Sequence, residues 1–185
     1  MSRILGLLGV LALVLALSGT ASAWQCPDPS DFLTGGGFIL VNGEHANFAI
    51  GGACKKGGDG HGLWGHLEYH DHGTGLNAHW TTITGYFSDF MLGDPQARII
   101  CGTARTNQFG DVNFAVRATD HGEPGVGVDE FDIWLTDPST GDPDYASADD
   151  GTFPHTLAGG NIQLHKPIKT TTTFAESCPA LGINS

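Results

Sequence analysis

The hydrophobic residues of this chain recur with a period of two. In the stretch DVNFAVRATD, Val112, Phe114, Val116 and Ala118 point one way, and Asn113, Arg117 and Thr119 the other. EFDIWLTD places Phe131, Ile133 and Leu135 on one face with Asp132 and Trp134 opposite, and GNIQLHK repeats the pattern with Ile162 and Leu164. Successive side chains of a β-strand point to opposite faces, so this alternation marks strands with one buried face. The runs GGFILV, HANFAIGG, WGHLEYH, NAHWTTITGYF and ARIICGTA bring the count to about eight strands. Turn-forming segments separate them: VNGE, KKGGDGHG, DHGTG, LGDPQ, NQFGD, DHGEPG and DPSTGDP. No eleven-residue window carries the period of an amphipathic helix, and 28 glycines suit tight turns better than helices. The expected fold is all-β: a single antiparallel β-barrel or β-sandwich of about eight strands, the two giving the same alternation.

The N-terminus follows another pattern. Arg3 precedes an apolar run from Ile4 to Leu17, which ends in Ala21-Ser22-Ala23. One positive charge, a short apolar core and a small-x-small cleavage site make residues 1–23 a secretory signal peptide. The run is too short and wrongly flanked for a spanning helix. Cys26 lacks the Leu and small residues that a lipoprotein signal would place before it. Cleavage before Trp24 divides the rest into an N-terminal segment (24–33), a β domain (34–166) and an extended C-terminal tail (167–185). The expected protein is secreted and extracellular, with no transmembrane span after signal cleavage. It carries 20 Asp and Glu against 8 Lys and Arg, and the signal removes only Arg3. Such a surface repels phosphate backbones, which removes nucleic acid from the expected partners and leaves an extracellular protein or polysaccharide.

Four cysteines, Cys26, Cys54, Cys101 and Cys178, are spaced too widely for a zinc motif. An even count in an exported chain implies two disulfides, with three connectivities to choose from. Cys26 and Cys178 sit in Pro-flanked segments near the two ends, and Cys54 and Cys101 lie in or beside strand-like runs. The expected pairs are Cys26–Cys178, clasping the termini, and Cys54–Cys101, joining strands.

The stretch HLEYHDHGTGLNAH holds four of the nine histidines. On a strand, His66, Glu68 and His70 share a face, with Leu67 and Tyr69 toward the core. That set, completed by His72 or His79, is a transition-metal candidate. The alternative is a solvated sheet face and a turn, in which Asp71 and His72 act as caps and Gly73 and Gly75 take special backbone angles. A second candidate is calcium on Asp120, Glu123 and Asp129 around a Gly-Pro turn, although the spacing is not that of an EF-hand. The acidic loop from Asp137 to Gly151 is a weaker calcium candidate and reads as a solvated excursion. His45 and Asn47 read as surface residues.

No catalytic motif stands out: there is no Gly-x-Ser-x-Gly and no His-Glu-x-x-His. Glu68, Glu123 and Glu130 could supply a carboxylate pair, but so many acids always offer one. Trp134 lies on the polar side of its strand and is a candidate for stacking on a sugar ring, with Trp64 and Trp80; burial is the commoner use of tryptophan.

The segment from Thr34 to Lys166 resembles the post-COAP domain, a module of bacterial secreted and surface proteins. The resemblance rests on TGGGF (Thr34–Phe38), ANFAI (Ala46–Ile50), GHLEYHDHGTGLNAH from Gly65, ATDHGEPG from Ala118, DEFDIWL, and GGNIQLHK (Gly159–Lys166). It implies an accessory β domain without enzymatic activity. It also implies that Asp71, His72, Asn77 and Asn161 are parts of hydrogen-bonded turns. This chain departs from the family at Cys54 and Cys101, where apolar residues are usual, and at His121, where Asn is expected. The function expected is that of a non-catalytic extracellular structural or binding module, with calcium the candidate structural cation. The alternatives are a metal-dependent enzyme built on the histidine strand and a carbohydrate-binding module.

Overall fold

A computed structural model of the chain describes residues 31–54, 63–166, 174–175 and 177–184. The signal segment 1–23, Cys26 and the first part of the tail lie outside the described residues, as does the side chain of Cys54. Ten strands run in chain order: β1 (Phe32–Val41), β2 (Glu44–Cys54), β3 (Leu63–Asp71), β4 (Leu76–Ser88), β5 (Ala97–Thr106), β6 (Gly110–Thr119), β7 (Glu130–Thr136), β8 (Pro143–Ala146), β9 (Gly159–His165) and β10 (Phe174–Ala175). All pairings are antiparallel, in the order β8-β7-β6-β5-β4-β3-β2-β1-β9, with β10 added beside β4. The all-β antiparallel fold holds. The strands exceed the expected eight because β8 and β10 are too short to show alternation. Their connections follow turn chemistry: Asn42 and Gly43, both at positive φ (52° and 84°), form the two-residue hairpin between β1 and β2.

The sheet curls. The rings of Phe48 on β2 and Phe131 on β7 stack at 3.8 Å. These strands stand five places apart in the sheet, about 24 Å if it were flat. One core lies inside the curl, with Ile39, Phe48, Ile50, Leu67, Phe114 and Ile133 among its residues. Among the described residues no continuous ladder closes the sheet, and β8 and β9 are its edges. One stretch bridges the gap. Phe131 N–H donates to His155 C=O (3.0 Å) and Leu157 N–H to Asp129 C=O (2.9 Å), after which Ala158 N–H donates to Phe38 C=O (2.9 Å). Carboxylates serve the outward edge of β9: Asp129 accepts from Ile162 N–H at 2.8 Å and Asp120 from Leu164 N–H at 2.7 Å. An edge served in this way cannot template another strand.

The outer face is also partly covered. Phe87, Ile99, Cys101, Ala115 and Cys178 form a second cluster, joined by Trp134, Ala180, Leu181 and Ile183. The last three belong to the C-terminal segment, with a 3-10 turn at Pro179–Leu181. β6 is buried on both faces: the C-terminal segment packs near Ala115, and Arg117, read from alternation as an outward polar residue, is only 1% exposed beneath Asp89, Asp94, Glu130 and Phe153.

The expected disulfides are corrected here. Cys101 bonds to Cys178, with Cα atoms 5.2 Å apart. Cys101 points to the outer face, where the C-terminal segment packs. The expected partner, Cys54, is on β2, with β3 and β4 between it and β5 in the sheet, whereas the C-terminal segment brings Cys178 directly onto Cys101.

Among the described residues, no helix is long and apolar enough to cross a membrane.

Candidate functional site

Over β2, β3 and the first half of β4 the outer face is open. The register places Asn47, His70 and Asn77 in one row across the three strands, and Ala49, Glu68 and His79 in the next, continued by Arg105 on β5 and Asp111 on β6. Leu67 and Tyr69 of β3 are buried, so alternation turns His66, Glu68 and His70 outward. Asn47, Glu68, His70, Asn77, His79, Arg105 and Asn107 line a shallow groove of about 460 Å³, with the outward Ala49 among them. Polar pairs hold its walls in place. Glu68 contacts His79 Nδ1, Arg105 donates to Asp111 at 3.0 Å, and Asn107 Nδ2 donates to Gly75 C=O at 2.9 Å.

The metal set His66, Glu68, His70 and His72 does not converge as a group of three donors. Glu68 is drawn across the register to His79, and the His70 and His72 rings lie against each other with centroids 4.0 Å apart. The adjoining turn is built on Asp71, which is 1% exposed. Its carboxylate accepts from Gly73 N–H (2.8 Å), Thr74 Oγ1 (2.8 Å) and Tyr145 Oη (3.0 Å). Tyr145 also shares a hydrogen bond with Tyr69 Oη at 2.7 Å, joining β8 to β3. Burial and the neighbouring Tyr69 and Asp71 hold the Tyr145 hydroxyl far above the usual phenol range. The His72 side chain is exposed, beside the ring of His70. Of the two glycines, Gly75 takes a positive φ (72°) and Gly73 does not; Gly73 is instead confined, because a Cβ there would lie 3.2 Å from the Asp71 carboxylate. Asn107 shares the turn with Asn77, accepting from Asn77 N–H at 2.8 Å.

Asp120, Glu123 and Asp129 do not assemble as a calcium site: they do not bring three carboxylate oxygens within 4.8 Å of one another, and each turns to a separate donor. Asp129, fully buried, accepts from the N–H groups of His121 (2.9 Å), Gly122 (3.3 Å) and Ile162 (2.8 Å). Glu123 accepts from Asn161 Nδ2 at 3.1 Å, and Asn161 Oδ1 in turn accepts from Gly125 N–H at 2.7 Å. The Asp137–Gly151 stretch is not a solvated excursion: it contains β8 and a 3-10 turn at Ser147–Asp150 whose Ser147 is buried. Trp134 is half-buried, edge-on to Phe153 with centroids 5.7 Å apart and packed against the C-terminal cover, so it offers no open stacking face.

Two clusters escaped the sequence reading. In one, Arg117 donates to Asp89 (3.0 Å) and Glu130 (2.6 Å) and lies 3.8 Å from Asp94. Burial works against its charge, but these carboxylates outweigh it and raise its pKa. His121 Nε2 meets Asp94 at 2.7 Å, and its Nδ1 meets Val128 C=O at 3.0 Å. In the other, His155, only 3% exposed, lies between Asp132 (2.7 Å) and Asp150 (3.1 Å). Carboxylates only accept, so both ring nitrogens must carry protons, and His155 is an imidazolium. Burial opposes that charge, and hydrogen bonds to the two carboxylates overcome it, raising the pKa of His155. Burial likewise pushes Asp132 up, with His155 pulling it back. Asp150 is also pushed up by desolvation, but the Asn42 N–H and His155 bring it down to about 2. Ser147 Oγ donates to Asp132 at 3.0 Å rather than to the histidine, so the set lacks a nucleophile–base contact.

No family model, curated protein or solved structure matches this chain.

Proposed function

We propose that this protein is an exported, non-catalytic extracellular binding module that holds a hydroxyl-rich ligand, a polysaccharide, in the groove over β2–β4. The observation that carries this reading is the groove's lining. Asn47, Asn77 and Asn107 amides, His70 and His79 imidazoles, the Glu68 carboxylate and the Arg105 guanidinium surround the small apolar side chain of Ala49. Amides and imidazoles both donate and accept, which suits hydroxyl groups, and a small apolar side chain lets a sugar ring approach closely. A docking face for a protein would instead carry apolar and aromatic anchors at its centre. The signal-like residues 1–23, a disulfide and the resemblance of residues 34–166 to an accessory β domain favour export and a non-catalytic role. The enzyme alternative loses its support where His66, Glu68, His70 and His72 fail to converge.

The test is electrophoresis of the exported protein through gels containing soluble xylan, mannan or β-glucan, with reducing ends assayed in parallel. Retardation by at least one polymer without release of reducing ends is expected. Release of reducing ends, or free migration in every gel, overturns the reading.

A further inference from the structure

We propose that Asp94, His121 and Glu130 form a binding site for one transition-type divalent cation, with Zn2+ as the reference ion. The site joins the β4–β5 connection, which carries Asp94, to the β6–β7 connection, which carries His121, at the first residue of β7, Glu130. One donor atom from each residue lies within 4.8 Å of the other two, and among the described residues no other group of three does so. Tetrahedral zinc sets its donors about 3.4 Å apart, so a small contraction seats the ion.

Three observations support the site. The first is the orientation of the His121 ring, whose Nδ1 faces Val128 C=O at 3.0 Å while Nε2 points to Asp94. A ligating histidine is commonly held in this way, with its far N–H on a carbonyl and its other lone pair toward the metal. The second is charge. Asp89, Asp94 and Glu130 face one guanidinium, Arg117. Three carboxylates against one cation leave two negative charges over, which a dication beside a neutral imidazole balances. The third is access. The side chains of His121 and Asp94 are 36% and 19% exposed, so an ion can enter and solvent can complete its shell. An imidazole with two carboxylates suits zinc, cobalt or manganese; calcium takes six to eight oxygens.

Without the ion, a proton fills its place. Both His121 nitrogens face acceptors, which requires an imidazolium. Burial opposes the charge, but Asp94 and the Val128 carbonyl outweigh it and raise the pKa. Asp94, Glu130, Asp89 and Arg117 are the charged groups around the ring, and Asp129 holds the His121 backbone N–H. Cation binding therefore expels the Nε2 proton and weakens as pH falls.

The experiment is calorimetric titration of Zn2+ into the chelator-treated, exported protein in two buffers of different ionisation enthalpy, with Co2+ spectroscopy and NMR alongside. Expected are one ion per chain, net proton release on binding because both His121 nitrogens face acceptors, and a visible Co2+ band with paramagnetic shifts at the His121 ring. H121N and D94N should weaken binding at least tenfold, whereas a double H70A/H72A variant should bind as wild type does. No Zn2+ or Co2+ binding, unchanged binding by H121N, or loss through H70A/H72A overturns the site. Should H121N fail to fold, the wild-type Co2+ spectra decide: absence of shifts at the His121 ring overturns the proposal.

Discussion

Asp129 shows how a single residue ties distant parts of this fold together. Its two oxygens accept three backbone N–H groups, from His121 and Gly122 beside it and from Ile162 on the edge of β9. An amide would turn an N–H toward one of these donors. D129N should therefore cost about 1–3 kcal/mol, the penalty of an unsatisfied buried group, read as a lower urea midpoint; an unchanged midpoint contradicts this role. His155 makes a pH-dependent contribution. Its pKa is raised in the folded state, so the folded chain holds this proton more tightly than the unfolded one. That contribution is complete below the ordinary histidine value of about 6.5 and is lost as pH rises through the folded value. Stability should fall with rising pH above neutrality, and H155Q should flatten the slope, leaving the part due to His121. A variant as steep as wild type would show that the proton is not held at His155. Neither role was legible in the sequence. His155 and Asp132 lie 23 residues apart, and no local pattern announces which loop histidine folds back onto which strand.

At the scale of elements, alternation and turn residues were enough to place most strands. They placed β6 and β7 correctly and oriented Trp134 and Asp132 to the outer face. They could not show that this face is covered, because the cover comes from the C-terminal segment 77 residues beyond Cys101. For the same reason the cysteine partners were misread: proximity to the termini suggested a clasp, whereas packing on the outer face decided the pair. Closing a loop of that length stabilises by about 4 kcal/mol in the chain-entropy account. The double variant C101S/C178S should lose about that much and expose Phe87, Ile99 and Ala115, measurable as a lower denaturation midpoint with increased binding of a hydrophobic dye. A midpoint within experimental error of wild type would mean that the C-terminal segment holds without its bond. Non-reducing peptide mapping should recover a Cys101–Cys178 peptide; a Cys26–Cys178 or Cys54–Cys101 peptide would contradict it.

At the scale of the whole molecule, the curled sheet divides its outer surface into a covered half over β5–β7 and an open half over β2–β4. The acidic residues read as calcium candidates are taken up within the fold: Asp120 and Asp129 serve the edge of β9, and Asp150 contacts His155. The open half keeps rows of polar side chains whose backbone is fixed by strands on both sides, and the proposed binding rests on these rows. The measurement that tests this division most directly compares the wild type with a triple variant, N47A/H70A/N77A, in the polysaccharide gel that retards the wild type most strongly, after equal melting temperatures have been established. The three side chains form one outward row across β2, β3 and β4. Loss of retardation is the result expected of a ligand bound over β2–β4. Retardation equal to that of the wild type would place the ligand elsewhere and contradict the reading of the groove as the binding site.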